Sequence, residues 1–333
     1  MILSPPILAL LCCSVGICGL MAIATAAGMS SVAGWNHDSN SPRQLRRENR
    51  WFLVQASLRL ILGLQLLSLV AFVATADHLK TLFTGAMCAV GTLNASPFGV
   101  PALVVKSGAS VLCGLWLVVD RAAADAASNG LVRFKAAFLV VPVAAIFSGT
   151  VLEIRYFADL DPEIITSCCA TIFDPNAGGV AGGLAAMPVG LSQVMFCCAM
   201  AASVAVGLWT IRGRRSTVVY AVLAAALGLL TTSAVVTWIA PMYYELPTHH
   251  CPLCLMAAEN GYVGYPLYLF LAMGVVFGVG SGLIRALRPI DVHHCIRNNQ
   301  ELGLCAVSLS SFVAIAVLAA WPVATSPFRM GGY

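Results

Sequence analysis

Residues 183–211, GLAAMPVGLSQVMFCCAMAASVAVGLWTI, run into Arg212-Gly213-Arg214-Arg215 and then into residues 217–240, TVVYAVLAAALGLLTTSAVVTWIA. Each flank is apolar for at least the roughly 20 residues that carry a helix across about 30 Å of hydrocarbon. The turn between them holds three arginines. This is a transmembrane hairpin with a basic connection, and the rest of the chain repeats the pattern. Apolar runs recur at 5–29, 51–75, 100–120, 136–157, 265–285 and 302–322, giving eight with the two above. Of the 333 residues, 59% are hydrophobic and 10% charged, against about 25% charged in soluble domains. Ten-residue segments of strict alternation are absent, which disfavours a membrane β-barrel. The expected architecture is therefore an all-α, polytopic membrane helical bundle of about eight transmembrane helices in one domain. No nucleic-acid partner is expected, and the bilayer itself is the main surround.

Charge placement predicts the orientation. Thirteen of the 18 Lys and Arg residues fall in alternate loops: Arg43, Arg46, Arg47, Arg50, Arg121, Arg133, Lys135, Arg212, Arg214, Arg215, Arg285, Arg288 and Arg297. Lys80, Arg155 and Arg329 fall on the other side, and Arg59 and Lys106 within spans. Loops rich in Lys and Arg stay in the cytoplasm, so both termini are expected outside it. The membrane expected is the bacterial cytoplasmic (inner) membrane. No basic region precedes the first apolar run, so that run reads as a span rather than a cleaved signal. Snorkelling toward an interface competes with an intramembrane role for Arg59 and Lys106, and Glu153 and Arg155 are expected to pair or to reach water near the outer end of the fourth span.

With this topology the 13 cysteines fall into three sets. Cys88, Cys168, Cys169, Cys251 and Cys254 occupy the long outer loops, where oxidation is permitted. Cys12, Cys13, Cys18, Cys113, Cys197, Cys198 and Cys305 lie within spans, where cysteine usually acts as a small apolar residue. Cys295 alone is expected in a cytoplasmic loop. The outer set is odd in number, so at least one thiol is shared, unpaired or transiently engaged.

Cys251-Pro252-Leu253-Cys254, preceded by His249-His250, carries the chemistry. Proline suits the first turn of a helix, since it lacks a donor and has φ near −65°. The expected arrangement puts Cys251 at the cap and Cys254 in the first turn, near bare amides and the positive helix end, which favour thiolate. His249 and His250 would add charge or accept a proton. The stretch from 251 to 285 is too long for one span, so a short interfacial helix and a break are expected before the seventh span. Tyr243, Tyr244, Tyr262, Tyr265 and Tyr268 surround this region, as an interfacial belt or as the lining of a quinone-sized pocket. The segment 87–99, dense in Gly, Asn and Pro beside Cys88, reads as an ordered re-entrant or surface loop. Adjacent Cys168 and Cys169 are expected to pair elsewhere rather than with each other.

Cys251-Pro-Leu-Cys254-Leu255 at the outer end of a span resembles the CxxC segment of bacterial thiol–quinone oxidoreductases of the DsbB kind. The layout of spans four to seven is similar to the vitamin K epoxide reductase family. The resemblance implies a redox sub-bundle over 136–285, with Cys251 and Cys254 communicating with quinone and Cys168 and Cys169, with Cys88 as a further member, shuttling to a thioredoxin-like partner. Tyr262, Tyr265, His249 and His250 would line the cofactor site. Where DsbB-type proteins carry an Arg soon after the second Cys, this chain has Ala257-Ala258-Glu259.

Three function classes follow. The first is a thiol–disulfide oxidoreductase acting outside the cytoplasm. The second is a transport or acquisition protein for copper, mercury or zinc, with ligands drawn from His249, His250, Cys251, Cys254, Cys168 and Cys169. The third is a non-catalytic cysteine-rich subunit of a membrane complex. No His lies within a predicted span and CxxCH is absent, so no haem is expected.

Overall fold

The computed structural model describes residues 4–35, 41–122, 129–161, 166, 173, 179–214, 216–287, 300–328 and 330. Among them the chain is helical throughout, with eight helices long and apolar enough to cross a membrane. These are α1 (Pro5–Val32), α2 (Pro42–His78), α3 (Gly99–Ala122), α4 (Asn129–Ala158), α5 (Val189–Trp209), α6 (Thr217–Ala234), α7 (Gly264–Leu287) and α8 (Gln300–Thr325). Each expected span is present. The fifth starts later than expected, at Val189, because Met187-Pro188 separates it from a short helix Gly179–Ala185. The sixth runs on through a π-helical segment, Val235–Ile239, into Ala240–Tyr244.

The chain divides into two compact units. The first comprises Met1–Thr75, Ser96–Asp161 and Leu283–Gln300, hence α1 to α4. The second comprises Ala76–Ala95, Pro162–Gly282 and Glu301–Tyr333, hence most of α5 to α8 together with the Cys88 loop. α4 falls in the first unit together with α1 to α3.

In the first unit α3 and α1 both pack on α4, around Ile17, Met21, Leu58, Leu62, Trp116 and Leu139. The outer faces stay apolar, as at Leu67 and Val151, which suits contact with lipid. Two charged groups lie inside. Asp120 receives Nε of Arg59 at 2.6 Å, Nζ of Lys135 at 2.8 Å and Nε2 of Gln55 at 2.9 Å. Lys135 is thus a buried tie between α3 and α4 rather than the loop cation its position suggests. Lys106 does not snorkel: its side chain is 1% exposed and donates to Glu153 Oε2 at 2.7 Å. Arg59, 40% exposed, reaches outward while paired.

The second unit is built around Phe196, Met200, Tyr220, Leu227, Trp238, Leu267, Phe312 and Ile315. Gly274, Gly278 and Gly282 stand one turn apart on α7. A Cβ at Gly274 would lie 2.9 Å from the Phe312 ring, and one at Gly278 2.7 Å from Ser308 Oγ and closer still to Ala224. Lipid gives no hydrophobic drive for helices to associate, so close backbone packing at small residues holds them together. A polar thread backs this up: Tyr220 donates to Ser308 at 3.0 Å, and Ser308 donates to the carbonyl of Gly274 at 2.6 Å.

Candidate functional site: a three-cysteine pocket

After α6, the segment Leu246–Val263 returns to α7 through turns. Pro252 precedes a 3-10 turn, Leu253–Met256, a second follows at Ala258–Asn260, and Gly261 and Tyr262 turn the chain with φ of 62° and 57°. The break before the seventh span is therefore present. The CxxC, however, sits on a four-residue 3-10 turn, not at the head of an α-helix. A single turn aligns too few peptide dipoles to act as the helix terminus expected from Pro252, so the case for activated thiolates rests on the local contacts.

Those contacts converge on sulfur. Cys88 and Cys251 bring their Sγ atoms to 3.5 Å, and Cys88, Cys251 and Cys254 all have Sγ within 4.8 Å of one another. A disulfide is about 2.05 Å long, so the first pair touches as thiols. Cys251 is 0% exposed and Cys88 3%, whereas Cys254 is only partly buried. Val90, Phe173, Ala185 and Val236 enclose the two inner thiols, and Leu184 and Leu253 pack from the side.

Three of the four backbone carbonyls of the motif are gripped by side chains. Tyr244 Oη donates to the carbonyl of Cys251 at 2.7 Å, and Tyr268 Oη to that of Pro252 at 2.6 Å. Asn260 Nδ2 donates to the carbonyl of Cys254 at 2.9 Å. A π-helical turn leaves carbonyls of its helix without their usual i+4 donors. In the π-helical segment after α6 the carbonyl of Val236 is such an acceptor, taking the Nδ1–H of His250 at 2.9 Å. Because a carbonyl only accepts, this bond sets Nδ1 as the protonated nitrogen. The π segment thereby places Val236 against the cysteines and anchors the residue preceding Cys251.

Cys88 reaches the site from the loop after α2. It caps a short buried helix, Ala89–Leu93. Upstream, Thr166 N donates to the carbonyl of Thr84 at 3.0 Å. Gly85 has φ +94°, and a side chain there would collide with the carbonyl of Thr166. That Gly is needed for the loop to fold back.

The structure thus unites Cys251, Cys254 and Cys88. His249 stacks edge-on against Tyr244 with centroids 4.9 Å apart, and His250 is buried on Val236. Neither histidine belongs to the group of three, which is the single His/Cys/Asp/Glu group of metal-binding spacing among the described residues. Tyr262 and Tyr265 are exposed and face each other at 6.2 Å. Tyr244 and Tyr268, noted in the sequence only as part of an aromatic ring, are the tyrosines bonded to the motif. Cys168 and Cys169 lie outside the described residues, as does Cys295. No signal in the sequence marked Asn260 or Val236; Cys88 was expected among the outer thiols, but its contact with Cys251 depends on how distant segments fold together.

Comparison with family models, with curated proteins and with solved structures found no match.

Proposed function

We propose that this chain is a membrane thiol–disulfide oxidoreductase working through Cys88, Cys251 and Cys254. The observation that carries the reading is the mutual approach of the three sulfurs within 4.8 Å, two buried and one partly exposed. Such a gradient of exposure divides the labour. Cys254 meets the partner's sulfur, and thiolate attack forms a mixed disulfide. Cys251 then attacks Cys254, expels the partner's thiolate and leaves a Cys251–Cys254 disulfide. Attack by Cys88 on Cys251 moves the disulfide inward and releases Cys254 as thiolate for another exchange. Every step conserves electrons, and the sequence runs equally in reverse. In the reverse direction the chain's disulfide oxidises a partner dithiol and ends as thiols, and their reoxidation releases two electrons and two protons, which a quinone is the class of acceptor to take. Such a protein would work on the extracytoplasmic side of a bacterial inner membrane, with both termini on that side, as the loop cations suggest. The partner would be thioredoxin-like, as the resemblance of Cys251-Pro-Leu-Cys254 to DsbB-type proteins implies. Cys168 and Cys169 remain candidates for the partner-facing pair.

A second reading has a specific observation behind it. Three sulfurs held within 4.8 Å suit a soft cation, since tetrahedral Zn–S bonds of about 2.3 Å separate sulfurs by roughly 3.8 Å, and thiolates favour copper(I), mercury and zinc. One measurement separates the two. Full-length protein, purified in detergent, is acid-quenched for thiol counting with and without reductant, and its metal content is measured. The redox reading expects a reversible loss of two thiols among the three and no stoichiometric metal. One equivalent of metal per chain with all three thiols retained through oxidant treatment overturns it.

A further inference from the structure

We propose that Glu153 and Lys106 form a second site, independent of the cysteines: a proton-binding site inside the membrane-spanning part of the first unit. Four helices build it. Lys106 of α3 donates to Glu153 Oε2 of α4 at 2.7 Å, to Ser68 of α2 at 3.2 Å and to Ser14 of α1 at 3.4 Å, with the Phe72 ring centroid 5.4 Å from Nζ. The two serine hydroxyls also touch each other at 3.3 Å. Gly149, one turn before Glu153 on α4, makes room for the lysine stem, because a Cβ there would lie 3.2 Å from Lys106 Cγ.

Lys106 holds only one of the two carboxylate oxygens. Here Oε1 of Glu153, on a side chain with 0% exposure, has no hydrogen-bond partner. A buried charged acceptor without a donor is among the costlier arrangements a protein holds, and an ionisable group at membrane depth marks a functional site by default. The ammonium, in contrast, is over-provided. Two hydroxyls and an aromatic face hold it besides the carboxylate. Glu153 can therefore take a proton on Oε1 without stripping Lys106 of its partners.

The balance is simple. A carboxylate plus a proton from water gives a carboxylic acid, Lys106 keeps its own proton, and the site passes from neutral to singly positive; release reverses it. The groups facing the pair are few. From α1 come Ser14 and, one turn on, Cys18, whose thiol is bonded to Thr150 at 3.2 Å. From α2 come Ser68 and Phe72, and from α3 Lys106 alone. On α4 itself Tyr156 is buried and Arg155 exposed.

The test is infrared difference spectroscopy of the full-length protein in lipid nanodiscs over a pH titration in H2O and D2O. A carboxylic-acid C=O band should grow as pH falls, shift in D2O because the proton exchanges with solvent, and vanish in Glu153→Gln. Should that variant not fold, Lys106→Gln serves: removing the ammonium must move the titration of the same band. A protein that stays folded across the range with no such band, or a band unchanged by both substitutions, overturns the proposal and leaves a structural clamp only. Neither outcome depends on whether the cysteines are redox-active.

Discussion

The sulfurs of Cys88 and Cys251 lie 3.5 Å apart although 163 positions separate them in the chain. Two loops that leave different helices meet at this contact, and it converts a CxxC pair into a trio. The contact lies within the second unit, enclosed by Val90, Phe173, Ala185 and Val236. Mild oxidation of a Cys254→Ser variant should therefore produce a Cys88–Cys251 disulfide, detected by mass spectrometry after proteolysis. Only intermolecular dimers, or no bond, would show that the two thiols do not meet in the folded protein.

Reactivity should follow exposure. In the reduced protein Cys254 is partly open, while Cys251 and Cys88 are 0% and 3% exposed. A bulky alkylating reagent is expected to modify Cys254 first, with the other two reacting only on denaturation. Quantitative peptide mapping over a time course checks this; equal rates at all three would contradict the buried pocket.

Tyr268→Phe and Tyr244→Phe each delete one hydroxyl that holds a motif carbonyl, at 2.6 and 2.7 Å. Leaving a buried carbonyl without its donor costs about 1–3 kcal/mol. Each variant should melt earlier in detergent and alkylate faster at Cys251 than the parent, as the turn loosens. Tyr262→Phe, at an exposed ring, should do neither.

Much of this was legible in the sequence because its cause is local. Apolar length and basic turns marked all eight spans, and Met187-Pro188 shifted one boundary only because proline opens the helix N-terminus there. Cys251-Pro-Leu-Cys254 stood out by spacing. The rest depends on long-range packing. Nothing in residues 87–99 says that Cys88 meets Cys251, and nothing near Lys106 says that α4 offers Glu153 opposite it. The expected helix cap at Cys251 failed for a local reason: Ala257 is extended (φ −75°, ψ 155°) and ends the turn begun at Leu253, so no α-helix propagates from Pro252.

Glycines on α7 should be intolerant in proportion to their contacts. Gly278→Ala places a methyl group against Ala224 and Ser308, and overpacking of this kind costs about 1–3 kcal/mol. Gly16 of α1 has nothing within 4 Å of a built Cβ, so Gly16→Ala should be neutral or stabilising by about 0.5–1 kcal/mol through helix propensity. Thermal unfolding of both variants in one detergent makes the comparison, and a sign reversal would refute the packing.

Lys106 and Glu153 make the sharpest energetic case. Both side chains are at most 1% exposed. Lys106→Met leaves Glu153 as an uncompensated buried charge, which costs about 3–5 kcal/mol, whereas Lys106 without the carboxylate keeps Ser14, Ser68 and the Phe72 ring. Lys106→Met should destabilise the protein strongly, and Glu153→Leu less so. The double variant removes both charges and leaves Ser14 and Ser68, which already touch at 3.3 Å, to bond each other. Replacing a buried ion pair by apolar residues is often neutral or stabilising by about 1–4 kcal/mol, so the double variant should recover most of the loss. The proton-binding activity should not return with it, because no carboxyl remains at position 153. Stability restored together with loss of the carboxyl band separates what the pair contributes to folding from what it does; a double variant as unstable as the singles would mean that the two residues act apart.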